Sequence, residues 1–144
     1  MKKDIKLTNF EVKAIVNLLQ REDSIINSDK SYPISLLWII DDNLRKLHDI
    51  LVKAEDMAKK IAKKYSDDEH SFEKVNEHGE TARMIKPEFR EAYNNDFIEL
   101  NSITNEISIS TIPYEDIEKY EITGKDFQSI RFMIEKPNDD EVKE

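Results

Sequence analysis

A chain of 144 residues with 38% hydrophobic and 37% charged side chains can bury one core, and its apolar residues are too clustered for wholesale disorder. The absence of cysteine excludes disulfide frameworks, thiolate zinc sites and cysteine nucleophiles. A net charge of −9 argues against a protein built to grip nucleic acid, and with only two glycines there is no glycine-rich phosphate cradle.

The opening Met1-Lys2-Lys3-Asp4-Ile5-Lys6 leads into no apolar run and does not read as a signal peptide. Thr8-Asn9-Phe10-Glu11 has the form of a capping box, in which Thr8 takes a backbone amide and Glu11 reaches back to the cap. It predicts a first helix over about 8–22, with Phe10, Ala14, Ile15, Leu18 and Leu19 as its apolar face. Asn27-Ser28-Asp29-Lys30-Ser31 is a polar turn, and Tyr32-Pro33 pre-sets the next helix.

That second helix, about 34–65, is the strongest feature. Leu37, Ile40, Leu44, Leu47, Leu51, Ala54, Ala58, Ile61 and Tyr65 follow a 3-4-3-4 spacing with no proline or glycine between them. A continuous helix here would be roughly 45 Å long. Such a seam must be covered by another helix, first one of this chain in an intramolecular hairpin and second one of another copy. Trp38, Ile50 and Met57 are expected to widen the stripe, and Ala54 and Ala58 to let a neighbouring backbone approach. Lys59, Lys60, Lys63 and Lys64 read as a solvated face of the same helix.

From Ser66 to Glu80 the pattern breaks, and a small hairpin turning near His78-Gly79 competes with a loop. Pro87-Glu88 opens a third helix over about 87–102, with Phe89, Tyr93 and Leu100 on one side, Ala92 and Phe97 beside them, and some irregularity expected at Asn94-Asn95. Glu106-Ile107-Ser108-Ile109-Ser110 alternates as a half-buried strand does, predicting a strand over about 106–112. Tyr114 to Tyr120 allows a turn or two of helix. Thr123 is expected to cap a last helix over about 124–135, with Asp126 favouring its N-terminal dipole and Phe127, Ile130 and Ile134 as its buried edge. Residues 138–144 form a charged tail expected to be disordered. The expected fold is α+β but predominantly α, a single domain over 1–137 in which the long helix packs in a helical hairpin or bundle with a small β element.

The chemistry-bearing residues form no familiar pattern. His48 reads as a half-exposed helical side chain. His70 and His78 lie near Asp67, Asp68 and Glu69, but without the rigid recurrent spacing of a metal site. With 31 acidic residues, pairs such as Asp41-Asp42, Asp67-Asp68 and Asp139-Asp140 arise by chance. Ser35, Ser71 and Ser129 lack a nucleophile-elbow setting. The expectation is therefore no catalytic residues, no cofactor and no metal, and the seam Leu37 to Tyr65 as the candidate interaction surface.

The order of features resembles a family of small uncharacterised proteins of tailed phages and prophages of AT-rich bacteria. The matching elements are Ile5-Lys6-Leu7-Thr8-Asn9, the heptad helix, the Val75-Asn76-Glu77-His78-Gly79 turn, Pro87-Glu88-Phe89, Glu106-Ile107-Ser108-Ile109 and the closing Phe127 to Ile134 helix. The resemblance is one of layout over nearly the whole chain. It implies a phage origin and synthesis in a host cytoplasm, and brings no catalytic residues with it.

The leading expectation is a non-enzymatic protein acting through protein–protein contact or self-association, including an oligomeric structural or assembly component of a virion. The alternative is an acidic inhibitor or regulator of a host nucleic-acid enzyme, diluted by 22 interspersed basic residues. A nucleic-acid-binding regulator ranks third, because the 22–32 loop is long for a helix-turn-helix. No membrane partner is expected, since no stretch approaches the roughly 18 apolar residues of a spanning helix.

Overall fold

A computed structural model describes residues 1–28 and 30–135, so the predicted tail over 138–144 lies outside the described residues. In chain order the elements are β1 (Lys2–Thr8), α1 (Asn9–Leu19), α2 (Ile34–Lys64), β2 (Ser71–Val75), β3 (Thr81–Ile85), α3 (Arg90–Asn101), β4 (Thr104–Ser110), α4 (Tyr114–Lys119) and α5 (Gly124–Ile130). Short 3-10 turns occupy Ile25–Asn27, Pro87–Phe89 and Arg131–Met133. The fold is α+β, with helices dominating. It divides into two compact units, Met1–Leu51 with Thr104–Glu144, and Val52–Ile103.

In the first unit β1 pairs antiparallel with β4, from Lys2 opposite Ser110 to Thr8 opposite Thr104. Alternation sends Ile5 and Leu7 of β1 and Ile107 and Ile109 of β4 toward the core. The capping box forms as predicted: Thr8 Oγ1 accepts from Glu11 N at 3.1 Å, and Glu11 Oε1 accepts from Thr8 N at 3.0 Å. The helix it starts is shorter than expected, ending at Leu19, and its buried face is the predicted one only at Leu19 and, in part, Ile15. Val12, Val16 and Leu19 are buried, while Phe10 is 64% exposed and Leu18 and Ala14 are exposed as well. α1 carries two apolar stripes, and packing against β1 and α5 buries the valine one.

α2 matches its predicted span closely. Its most buried positions in this unit are Leu36, Ile40, Asn43, Leu47 and Leu51, which join Ile107, Ile109, Ile112, Ile122, Ile130 and Met133 in one core, apart from Asn43. The seam is therefore rotated slightly from its sequence position, and Trp38 does not widen it. Trp38 is 73% exposed, because at 100° per residue it stands about 200° from both Leu36 and Ile40. Asn43, fully buried, serves the edge of β4: its Nδ2 donates to Ser110 O and its Oδ1 accepts from Ser110 N, each at 2.8 Å. Lys46 Nζ donates to Ser108 O at 3.0 Å, the next outward carbonyl. Side chains of a helix thus occupy a strand edge that would otherwise be open to pairing.

The closing segment departs from prediction. Thr123 sits at the N-cap of α5 without a side-chain cap hydrogen bond, and α5 ends at Ile130. Ile134 is buried in extended chain, where it bridges Ile112 in parallel, with Ile112 N donating to Met133 O at 2.8 Å. Asp126 stands in the first turn of α5, where its carboxylate was expected to favour the dipole, and it is also buried and accepts from Tyr32 Oη at 2.9 Å. Burial, and then the Asp126 carboxylate, push the Tyr32 hydroxyl up from 10.0 to about 12. Between those values the unfolded chain loses this proton and the folded chain keeps it. The contribution is complete below pH 10.0 and is lost as pH rises through about 12. Denaturant midpoints measured across that window should fall for the wild type and fall less steeply for Tyr32→Phe.

In the second unit the last half of α2 is followed by the β2–β3 hairpin, in register from Ser71 opposite Ile85 to Val75 opposite Thr81. The turn lies where the sequence places it. Gly79 adopts φ +78°, which favours glycine, and Asn76 Oδ1 accepts from the amides of His78 and Glu80 at 2.9 Å. α3 runs unbroken through Asn94-Asn95. Both asparagines are exposed, so their weak helix propensity is outweighed by the packing of Tyr93, Phe97 and Leu100 on the other side. Tyr65 meets Tyr93 and His70 edge-on with ring centroids 5.4 Å apart, and Phe97 continues the cluster.

Candidate functional site

None of the nine predicted seam residues is fully exposed. Ile40, Leu47, Leu51 and Tyr65 are buried, and Leu37, Leu44, Ala54, Ala58 and Ile61 are half-buried. In the first unit the seam is core. What α2 turns outward there is another stripe, Ile34, Trp38, Asp41 and Arg45, at i, i+4, i+7 and i+11. Ile34 is 76% and Trp38 73% exposed, and the stripe passes into an ion pair with Arg45 Nε 2.8 Å from Asp41 Oδ2. An exposed indole beside an exposed isoleucine, on a helix anchored by its opposite face, is a rigid apolar ridge. Sequence reading missed it by giving Trp38 to the seam, although its place opposite Leu36 and Ile40 on the helical wheel was a usable signal.

In the second unit the seam borders a groove of about 360 Å³. One wall is Met57, Lys60, Ile61 and Lys64 of α2; the other is Asp96, Glu99 and Leu100 of α3 with Ile103 just beyond. Each wall repeats the spacing i, i+3, i+4, i+7, so each offers an apolar lining under a charged rim. At one end Lys64 Nζ lies 3.2 Å from Asp96 Oδ2, which also accepts from Tyr65 Oη at 2.8 Å. The Tyr65 hydrogen bond, with Lys64 beside it, holds the Asp96 carboxyl below its ordinary range, and Asp96 raises the Lys64 ammonium. On the hairpin of this unit Phe72 and Met84 are cross-strand partners, each partly exposed.

The polar residues weighed for chemistry are also placed. Asp67, Glu69 and His70 bring one ligand atom each within 4.8 Å of one another, while His78 sits on the hairpin turn and His48 is exposed on α2. His70 Nδ1 lies 2.6 Å from Asp67 Oδ1, and that hydrogen bond holds the Asp67 carboxyl below its ordinary range. The neighbouring hydroxyl, Ser71 Oγ, donates to Asp67 O at 2.8 Å and accepts from Arg83 Nε at 2.7 Å. An oriented imidazole with its adjacent hydroxyl committed twice over lacks the nucleophile–base contact that acyl transfer needs. Ser129 Oγ donates to Asp126 O at 2.8 Å, and Ser35 is exposed on α2.

Among the described residues no helix is long and apolar enough to cross a membrane. No protein-family model, curated protein or solved structure matches this chain.

Proposed function

We propose that this chain is a non-enzymatic interaction protein of phage or prophage origin, docking a protein partner through the outward face of α2. The observation that carries the reading is Trp38, 73% exposed one turn after the 76% exposed Ile34. Large aromatics contribute most to binding when they fill a partner's pocket, and a rigid helix loses little entropy in presenting one. The net charge of −9 selects a partner whose apolar pocket opens on a basic surface. A host cytoplasm or an assembling virion is the setting that the layout resemblance implies.

The acidic-inhibitor alternative has less support. Carboxylates are interleaved with cations: Asp41 with Arg45, Asp42 with Lys46, Asp23 with Lys125, and Asp68 with Arg83. Such pairing breaks up the continuous negative field that mimicry of nucleic acid requires.

Capture from phage-infected or lysogenic cells by wild type and by Trp38→Ala tests the proposal. A protein held by wild type, lost with Trp38→Ala at unchanged thermal midpoint, and released by rising salt is the expected result. Equal retention by the two baits would refute it. Trp38 is the chain's one tryptophan, so a blue shift of its emission on adding the captured protein reports burial directly.

A further inference from the structure

The groove of the Val52–Ile103 unit has one positive rim and one negative rim. Lys60 and Lys64 stand on the α2 side, Asp96 and Glu99 on the α3 side. Lys64 pairs with Asp96, and one turn along each wall stand Lys60 and Glu99. The first two are joined, but among the described residues neither Lys60 nor Glu99 has a salt bridge. Between the rims the apolar lining is only partly covered: Met57 is 42% and Ile103 48% exposed.

We propose that this groove docks the same groove of a second copy of the chain, across a two-fold axis that runs along the groove. Charge complementarity selects this occupant. Rotation by 180° about that axis exchanges the rims without shifting them lengthwise, so the Lys60 of each copy faces the other's Glu99, and Met57 and Ile103 are covered. A two-fold axis across the groove would set lysine against lysine and is disfavoured. An isologous contact needs one self-complementary patch, and this groove is one. The local balance also limits repulsion between copies, since residues 52–103 hold nine Lys and Arg against twelve Asp and Glu. Eight lining residues per copy is well below the roughly 20–30 of a standard interface, so the dimer is weak and concentration-dependent. Surface and occupant differ from those of the Ile34–Trp38 ridge, so either reading can fail alone.

Sedimentation velocity of the full chain from about 1 μM to about 1 mM tests the dimer. The weight-average mass of the wild type should climb from 17.0 kDa toward twice that value. Lys60→Glu sets glutamate against Glu99 of the other copy, and Glu99→Lys sets lysine against its Lys60. Each variant alone should stay monomeric to concentrations at least about tenfold higher, and an equimolar mixture of the two should dimerise again. Recovery on mixing cannot come from a contact within one chain. Circular dichroism establishes that both variants are folded. A wild type that is monomeric throughout overturns the proposal, and so does a dimer indifferent to both reversals, or reversal variants whose mixture stays monomeric. Loss of the dimer in Trp38→Ala with both reversals silent would place self-association on the Ile34–Trp38 ridge and also overturn it.

Discussion

Replacing Asn43 with leucine is expected to lower folding stability by about 3 kcal/mol, although leucine is the better helix former and the position lies inside an apolar face. Asn43 is fully buried, and its carboxamide satisfies both backbone groups of Ser110 on the edge of β4 at 2.8 Å each. Leucine would leave the part-buried N–H and C=O of Ser110 without partners, at about 1–3 kcal/mol each. The extra apolar burial offsets only about 1 kcal/mol of that. Asn43→Asp should be distinguishable by its pH dependence. The carboxylate can still accept from Ser110 N, but its second oxygen would face Ser110 O, so burial and repulsion should favour the protonated acid, which donates there. A carboxyl raised in the folded state stabilises below its unfolded value and loses that contribution as pH rises. The deficit of Asn43→Asp should therefore be smallest at acid pH and grow toward neutrality. Chemical denaturation of the three proteins at two pH values checks both statements, and an Asn43→Leu midpoint equal to wild type would sink the first.

The second large effect contrasts two side chains nine residues apart on α2. Leu47→Ala should cost about 3–4 kcal/mol, because Leu47 has no exposure and truncation leaves a cavity among packed isoleucines and valines. Trp38→Ala removes a larger side chain yet should change stability by no more than about 0.5 kcal/mol, because most of the indole is already in water. Denaturation followed by circular dichroism, which does not depend on the tryptophan, measures both. A large loss from Trp38→Ala would mean that the indole is core, and the proposed ridge would lose its basis.

Features encoded within a few residues were legible in the sequence. The Thr8 and Glu11 capping box, the bounds of α2 after Pro33, the turn at Gly79 and the alternation of Ile107 and Ile109 all appear where the sequence places them. Each rests on a local cause: a reciprocal hydrogen bond, a fixed or permissive φ, or a side-chain period. The candidate surfaces were legible only in part. Met57 and Ile61 were marked as stripe residues, but the opposite charges that flank them come from a helix some forty residues later.

Three matters were decided by tertiary structure. β1 was missed because its seven residues are mostly charged and its partner, β4, begins about a hundred residues further on. On α1 two apolar stripes had equal periodicity, and packing against β1 and α5 chose Val12 and Val16 over Phe10 and Leu18. On α2 an asparagine proved central and a tryptophan peripheral, because the burial of a side chain depends on what stands opposite it. That a long amphipathic helix exists, and where it begins and ends, could be read from residues 33–65 alone, since those are local matters of period and capping. Its azimuth, with Leu36 and Asn43 inward and Trp38 outward, belongs to tertiary structure, because rotating an isolated helix about its axis costs nothing until a neighbour packs against it.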